Sequence, residues 1–409
     1  MQLFPDVSVT HLPVNCSDHK ALLLRLSDAQ VFVRQNSRPW RFEAAWLQSD
    51  QCEQVVAKSW GRFLGCNRDT GVARQIEACQ SSLSQWSKSV FHKQQKRGHL
   101  LEEKMARLLG KQVTPEVNAE IDLVRQELER CAAYEETVWR QRCKELWLRE
   151  GDRNTGYFHR RASQRFKVNS IRKIREPSGQ WVVSEEGIQR CIEAHFREVY
   201  ASSRPLQEHI AAGTEHLHRV VDASMVEDLL TPYTALEVSK ALFQMAPQKS
   251  PGPDGMSPIF FQKFWHIVGT DVLSCVLNLL NSFIMPPGLN STHIVLIPKC
   301  KHPEYLTQFR PISLCNVIYK IASKTIANRL KPLLDCIFSH AQAAFVPGRL
   351  IFDNILLVFE LNHFLNTKTK GGSGWMALKL DVSKAYDKVE WSFLEQVLFK
   401  LGFLHLSFV

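Results

Sequence analysis

The sequence predicts an α+β fold in which a long helical hairpin precedes a region of mixed helices and strands. Two observations carry this prediction. Apolar residues recur at alternating steps of three and four between residues 76 and 138, which is heptad spacing. Beyond residue 229, short apolar runs alternate with turn signals, namely SPGPDG, MPPG, KHPE, VPGR and KGGSG, as in compact mixed structure.

The bulk composition is that of a globular protein. The 409 residues are 44% hydrophobic and 22% charged, with a net charge of +10, and have room for roughly two or three domains. We expect no signal peptide and no transmembrane segment, because the richest apolar stretch is broken well short of a ~20-residue span. The eleven cysteines include no C-x-x-C pair, so we expect reduced intracellular thiols rather than a zinc site.

The first half of the chain divides into four segments. Residues 1–27 contain two strand-like runs, DVSVTHL and ALLLRL, which are too few for a stable domain. Residues 28–68 are predicted to be an irregular linker. Residues 69–150 form the predicted hairpin or coiled coil, with arms of roughly 35–40 residues broken near Gly110–Thr114. Residues 151–228 are predicted to be a basic linker with a helix around Glu185–Tyr200.

Positive charge is concentrated around the start of that basic linker. Twelve Lys or Arg and three acids lie between Arg140 and Arg175, interleaved with aromatic residues. Phosphates attract such charge and bases stack on aromatic faces, so the block predicts nucleic-acid binding; the alternative is a solvated helix end and loop. The candidate contact residues are Arg153, Arg160, Arg161, Arg165, Lys167, Arg172 and Lys173.

The last segment, residues 229–409, contains a candidate metal ligand. In WMALKLDVSKAYDKVEW, Met376 to Val382 alternate with a period of two, which predicts a strand ending near Asp381. Apolar residues then recur every four positions from Ala385 to Leu401, which predicts a helix. A carboxylate at such a junction can hold Mg²⁺; the alternative is a helix N-cap.

A predicted strand–loop–strand unit precedes this segment. THIVLIPKCKHPEYLTQFRPISL carries Lys299 and Arg310 near the strand ends. Both cations could hold a triphosphate, and an arginine could do so through two hydrogen bonds. The alternative is that each is an exposed charge at a strand end.

Six segments in order resemble the reverse transcriptases of non-LTR (LINE-type) retrotransposons, most closely those of plants. They are KSPGPDGMSPIFFQKFW (249–265), LIPK (296–299), FRPISL (309–314), IASKTIANRLKPLL (321–334), QAAFVPGRLIFDNIL (342–356) and LKLDVSKAYDKVEW (378–391). LWLREGDRNTGYFHRRASQRFKVNSI (146–171) resembles the segment that precedes the polymerase in these elements. CSDHKALLLRL (16–26) resembles the end of their endonuclease/exonuclease/phosphatase-type nuclease.

The resemblance implies an RNA-directed DNA polymerase that uses Mg²⁺. Residues 229–409 would form the fingers and the start of the palm of a right-hand polymerase. Asp381 would be the first metal-binding aspartate and the Val382 carbonyl a further ligand, while Tyr386 would be the steric gate against a ribose 2′-hydroxyl. Lys299 and Arg310 would hold the incoming triphosphate. Gln342, Arg349 and Asn354 match recurrent family positions without an evident physical role.

Both catalytic sites are expected to be incomplete. In the nuclease remnant, Asp18 would help bind a metal and His19 would contact the scissile phosphate. In the family that the chain resembles, an aromatic-Ala-Asp-Asp turn supplies the remaining polymerase carboxylates, and neither this turn nor the Gly-rich template-side segment occurs here. Two-metal chemistry needs several carboxylates. We therefore expect a truncated polymerase, inactive alone; the alternatives are a non-catalytic nucleic-acid-binding remnant of a decayed retroelement, or a product that seldom folds.

The expected partners are RNA and DNA, with no membrane. The hairpin could also mediate self-association. If functional in an element, the protein would act at nuclear DNA.

Overall fold

The computed structural model describes residues 8–12, 21–25, 39–61, 68–90, 92–112, 114–143, 155–368, 375–382 and 384–403. The chain divides into two units, Met1–Trp40 and Arg41–Val409. In the first unit, strands β1 (Ser8–Leu12) and β2 (Ala21–Arg25) pair antiparallel. They coincide with the two strand-like runs of the sequence.

Residues 41–61 of the second unit belong to its hydrophobic core, so the prediction of an irregular linker was wrong here. A 3-10 helix (Ala44–Gln48) leads into helix α1 (Asp50–Trp60). Phe42 and Trp60 are almost fully buried, and the Phe42 ring meets that of Phe260 edge-on at a centroid distance of 5.4 Å. The linker prediction failed because this segment has no regular periodicity, and its burial depends on partners far along the chain.

A helical hairpin follows, as the heptad spacing predicts. Leu101, Leu108 and Val124 are buried along its seam, packed with four partly buried apolar residues. The arms run antiparallel, and Lys104 Nζ lies 2.7 Å from a Glu120 carboxylate oxygen across the seam. The arms are α3 (His92–Leu109) and α4 (Pro115–Cys143). Helix α2 (Arg68–Val90), which the sequence assigned to the first arm, packs against α1 instead.

Short helices and a two-stranded sheet connect the hairpin to the last part of the chain. Helix α6 begins where Ser184 Oγ accepts a hydrogen bond from the Gly187 amide at 3.2 Å, which is an N-cap. It occupies the span expected from the sequence. The elements are α5 (Thr155–Asn169), β3 (Ile174–Arg175), β4 (Trp181–Val182), α6 (Glu185–Val199), α7 (Gln207–Thr214) and α8 (Ala223–Leu230).

The main core is built by the next four helices, and a β-hairpin separates the third from the fourth along the chain. Val238, Phe260, Val272 and Ile321 are fully buried at their meeting point. The two strands pair antiparallel from Thr292 opposite Cys315 to Pro298 opposite Phe309. The elements are α9 (Ala235–Phe243), α10 (Pro258–Lys263), α11 (Trp265–Ser282), β5 (Thr292–Pro298), β6 (Phe309–Cys315) and α12 (Val317–Leu330).

The last described residues depart from the prediction in two ways. Residues 375–382 form no strand, and Met376 and Leu380 are more than 80% exposed. A strand requires a neighbour for its N–H and C=O groups, and no described strand pairs with this segment. The predicted helix 385–401 is also broken, because Glu390 is extended. The elements are α13 (Leu334–Ile337), α14 (Ile351–Thr367), α15 (Ala385–Lys388) and α16 (Trp391–Leu401).

Two simpler expectations can be compared with the described residues. No described helix combines the length and apolar character needed to cross a bilayer. The nine cysteines in the described part are not joined in disulfides. Burial raises the pKa of Cys52 to about 12 and that of Cys79 to about 11, so both thiols are protonated and act as small packing groups.

Candidate nucleotide and nucleic-acid site

The hairpin of β5 and β6 carries on one face the two residues that are predicted to bind the triphosphate. Arg310 on β6 lies opposite Ile297 on β5. Lys299 follows Ile297 by two residues along the chain, just after the end of β5. Because side chains alternate between faces, Lys299 and Arg310 are diagonal neighbours with Cβ atoms about 7–8 Å apart. Both side chains are exposed.

The two cations differ in how they are already used. The Lys299 amide donates to the Gln308 carbonyl at 2.8 Å, and its Nζ donates to the Thr307 carbonyl at 2.9 Å. Arg310 has no hydrogen bond or ion pair with another described side chain. Lys299 therefore closes the loop of the hairpin, whereas Arg310 is available for a ligand.

The structure does not assemble a metal site at Asp381. Asp381 and Val382 are exposed in the segment that forms no strand. Among the described residues, no group of three or more His, Cys, Asp or Glu side chains is placed to hold a metal ion. The donor set therefore does not fit a two-metal Mg²⁺ site, which requires several converging carboxylates.

Tyr386 lies at the surface close to a strained residue. Its side chain is 82% exposed, and its ring meets that of Phe345 edge-on at 6.4 Å. Phe345 has a φ of 67°, in the left-handed region that is unfavourable for a bulky side chain. The role of Tyr386 as a steric gate remains a prediction.

The basic block places several cations on α5 and on the short segment between α5 and β3. Arg160, Arg161 and Arg165 are exposed, and Phe166 of the same helix is 67% exposed. The basic residues Lys167, Arg172 and Lys173 are exposed as well, and Lys173 Nζ lies 4.1 Å from the ring centroid of Trp181. Cations and aromatic faces therefore share this surface. Arg153, Asp18 and His19 lie outside the described residues.

The amino-acid sequence of the chain was compared with protein families and with known proteins. Residues 297–407 match the family model of reverse transcriptases, the RNA-dependent DNA polymerases. This part of the chain is therefore similar to a reverse transcriptase domain. The chain is also 27% identical over 393 residues to the Transposon TX1 uncharacterized 149 kDa protein of Xenopus laevis. The aligned region covers 92% of this chain and 29% of that relative. The resemblance to non-LTR retrotransposon polyproteins is thereby confirmed.

Within the reverse transcriptase domain, Arg349 and Asn354 have a structural role that the sequence did not reveal. Arg349 donates to the Ser339 and Gln342 carbonyls at 2.5 and 2.7 Å, and to the Asp335 carboxylate at 2.7 Å. Asn354 donates to the Ala341 carbonyl at 3.1 Å. These side chains fasten the loop between α13 and α14, so their family positions are explained by loop geometry.

Two contacts with residues outside the matched region hold the segment that follows Asp381. Glu390 accepts hydrogen bonds from the Ser202 hydroxyl and from the Ser203 amide and hydroxyl, at 2.7–2.8 Å. These hydrogen bonds lower the pKa of Glu390, and the bond from the Ser202 hydroxyl has the largest effect. Lys384 Nζ lies 3.0 Å from His195 Nε2, and burial together with this ammonium lowers the pKa of His195. No periodicity marks these residues, so sequence reasoning missed them.

The SPGPDG turn packs closely against the start of α12. A Cβ at Gly252 would lie 2.4 Å from Asn316 Oδ1 and 2.5 Å from the Asn316 amide nitrogen, so only glycine fits. Asp254 Oδ1 accepts from the Met256 amide at 3.0 Å, while its buried Oδ2 has no hydrogen-bond partner among the described residues. Burial raises the pKa of Asp254 to about 6.

Proposed function

We propose that this chain acts as the nucleotide-holding part of an RNA-directed DNA polymerase of a LINE-type retrotransposon. The observation that carries the proposal is the reverse transcriptase match across residues 297–407, which includes Lys299, Arg310 and Asp381. In this proposal Arg310 and Lys299 bind the phosphates of the incoming nucleotide from one face of the hairpin. The chain spans 29% of the length of the transposon relative, so the activity of the whole relative is not transferred.

The remaining assignments in the reverse transcriptase domain are proposals of the same kind. Asp381 and the Val382 carbonyl would contribute ligands to a Mg²⁺ site only together with further carboxylates, which a two-metal site requires and which do not converge on Asp381 among the described residues. Tyr386 would select against a 2′-hydroxyl by a clash of its ring with that oxygen. The division of residues 229–409 into fingers and the start of a palm belongs to this proposal too.

Primer extension on an RNA template tests the polymerase proposal. The purified chain with Mg²⁺ and dNTPs should give no extension by itself, because no group of three or more ligating side chains is placed to hold a metal ion among the described residues. Any extension that it does give should fall more than about 100-fold in Asp381→Ala, since even outer-shell metal partners are worth 10–100-fold. Glu360→Ala, an exposed carboxylate on α14, is the matched control and should leave extension unchanged. Extension that persists in Asp381→Ala would contradict the role of this residue.

A second candidate function is nucleic-acid binding without catalysis. It is favoured by the absence of further carboxylates around Asp381 among the described residues, together with the exposed cations of α5. Binding of the template with no extension by the wild-type chain would select this candidate over the polymerase.

Salt dependence identifies the surface that binds the strand. Replacing Arg160, Arg161 and Arg165 by Ala should reduce the slope of log K against log salt by about 2, because each phosphate contact on a single strand contributes ~0.7. The matched control replaces three exposed arginines of the hairpin, namely Arg97, Arg107 and Arg125. An equal loss in both triple variants would show only an effect of net charge.

Self-association of the hairpin is a separate proposal. Leu100, Leu109 and Leu123 are more than 60% exposed on α3 and α4, and exposed apolar side chains on helices are typical of association surfaces. Sedimentation should show a dimer that Leu109→Glu dissociates. A wild-type chain that stays monomeric at all concentrations would exclude it.

A nuclear location belongs to the polymerase proposal, because an element inserts into chromosomal DNA. Fluorescence imaging of the tagged chain should show nuclear signal. Uniform exclusion from the nucleus would contradict it.

A further inference from the structure

A small polar cavity of about 90 Å³ lies outside the region that matches the reverse transcriptase family. Three parts of the second unit surround it: the segment before the 3-10 helix, the C-terminal end of α4 and the stretch that leads into α10. The side chains used in the argument are Arg41, Gln141, Arg142, Lys249 and Ser257.

The lining of this cavity is positively charged. Arg41, Arg142 and Lys249 face one carboxylate, Glu43, which accepts a hydrogen bond from Arg142 at 2.8 Å. Neither Arg41 nor Lys249 forms an ion pair with a carboxylate of the described residues. The cavity therefore has an excess of two positive charges.

Further cations stand next to Lys249. Lys320 Nζ donates to the Ser250 carbonyl at 2.8 Å. Burial, together with the charge of Lys249, lowers the pKa of Lys320, and burial, Lys331 and Lys249 lower that of Lys324. Such mutual repulsion is relieved when an anion binds between the cations.

Ser257 provides an independent sign of a ligand. It is 2% exposed, and its hydroxyl has no hydrogen-bond partner among the described residues. It occupies the N-cap position of α10, where a serine hydroxyl usually accepts from the helix backbone, but it makes no such bond. A buried hydroxyl without a partner is unfavourable, so a group with hydrogen-bonding oxygens in the cavity would satisfy it.

The wall opposite is held rigidly. Gln141 Oε1 accepts from the Ala44 amide at 2.8 Å, and Gln141 Nε2 donates to the Phe42 carbonyl at 2.9 Å. These two bonds join α4 to the segment that carries Arg41. The arginines are therefore positioned before a ligand arrives, which favours binding.

We propose that this cavity binds a phosphate group, and that the phosphate belongs to the backbone of an RNA or DNA strand. A tetrahedral phosphate group matches the cavity in size, in the sign of its charge and in its need for donors, since guanidinium, ammonium and hydroxyl groups all donate to phosphate oxygens. Arg41 and Lys249 are exposed at the mouth, where a strand can reach them. The assignment of the phosphate to a nucleic-acid backbone rests on the proposed function. The affinity of the cavity for a phosphate group does not depend on that function.

Titration of the full chain with inorganic phosphate tests the cavity, by calorimetry and ³¹P NMR. Lys249→Gln and Arg41→Gln should each weaken binding at least fivefold, while Lys263→Gln on α10, outside the cavity, should not. Ser257→Ala should weaken binding about threefold without lowering the melting temperature, because the hydroxyl it removes stabilises nothing in the free protein. Wild-type affinity in Ser257→Ala and Lys249→Gln, or no phosphate binding by the wild type, would overturn the proposal.

Fluorescence anisotropy with a single-stranded RNA oligonucleotide tests the source of the phosphate. Binding should be weakened by Lys249→Gln and competed by inorganic phosphate. If phosphate binds but the oligonucleotide is insensitive to Lys249→Gln, the backbone assignment is wrong and the cavity takes free phosphate. If phosphate and the oligonucleotide both bind as expected but no primer is extended, the polymerase proposal is rejected for the chain by itself and the proposal for the cavity stands.

Discussion

Arg329 of α12 is the side chain whose removal should destabilise the reverse transcriptase domain most clearly. Its guanidinium donates to both Glu237 carboxylate oxygens at 2.6 and 2.9 Å and to the carbonyls of Leu229, Thr231 and Pro232. It also lies 3.7 Å from the ring centroid of Tyr233. One side chain thus ties α12 to α9 and to the turn before it.

The expected loss for Arg329→Ala is about 3 kcal/mol. Breaking a buried ion pair costs ~3–5 kcal/mol, and hydrogen bonds to charged groups are worth ~1.5–3 kcal/mol each. The lower end applies because the Glu237 side chain is 32% exposed and regains water, whereas that of Arg329 is 11% exposed. The midpoint of urea unfolding should fall by about 1 M for a typical m-value.

The pH dependence of this loss follows from the carboxylate. Hydrogen bonds from Arg329 are the main cause that lowers the pKa of Glu237 to about 2 from its ordinary 4.5. The stabilisation is fully present above pH 4.5 and is lost as the pH falls through about 2. The difference between wild type and Arg329→Ala should therefore shrink between these values.

The control is Arg125→Ala, which removes an exposed pair with Asp122 on α4 and should cost no more than ~0.5 kcal/mol. The double variant with Glu237→Ala should lose less than the sum of the single losses, because the two residues share one interaction. A loss below about 1 kcal/mol for Arg329→Ala, or strictly additive losses, would refute the reasoning.

Three further predictions concern packing and buried charge. Asp254→Asn should raise stability relative to wild type at pH 7 but not near pH 4. Burial raises the pKa of Asp254 in the folded protein to about 6 from the ordinary 3.8, so the carboxyl destabilises the folded state only at pH values where it is ionised. Equal gains in the melting temperature at both pH values would contradict this. Gly252→Ala should lose at least ~2 kcal/mol through its clash with Asn316, whereas Gly98→Ala, which has nothing within 4 Å in α3, should gain ~0.5–1 kcal/mol; a tolerated Gly252→Ala in urea unfolding would show that the turn can shift. Leu101→Ala should cost about 2 kcal/mol at the hairpin seam, and circular dichroism melts unchanged by it would show that the seam does not hold the arms.

Local pattern determined much of the fold. Heptad spacing located the hairpin seam at residues such as Val124, since helix periodicity is set by backbone geometry whatever lies around it. Strand alternation and turn residues located the β5–β6 hairpin that carries Arg310 and Lys299. Six motifs in order were enough to recognise the reverse transcriptase, which the family match confirmed.

Long-range contact decided the rest. The alternating run before Asp381 has the period of a strand, but a strand exists only with a hydrogen-bonded neighbour, and no described strand pairs with it. The burial of Trp60, the anchoring of Glu390 and the unpartnered hydroxyl of Ser257 leave no periodic trace, because each depends on residues distant in sequence. The sequence by itself therefore determined the family and the local elements, whereas only the tertiary structure decided which side chains are fixed in the core and which are exposed for a ligand.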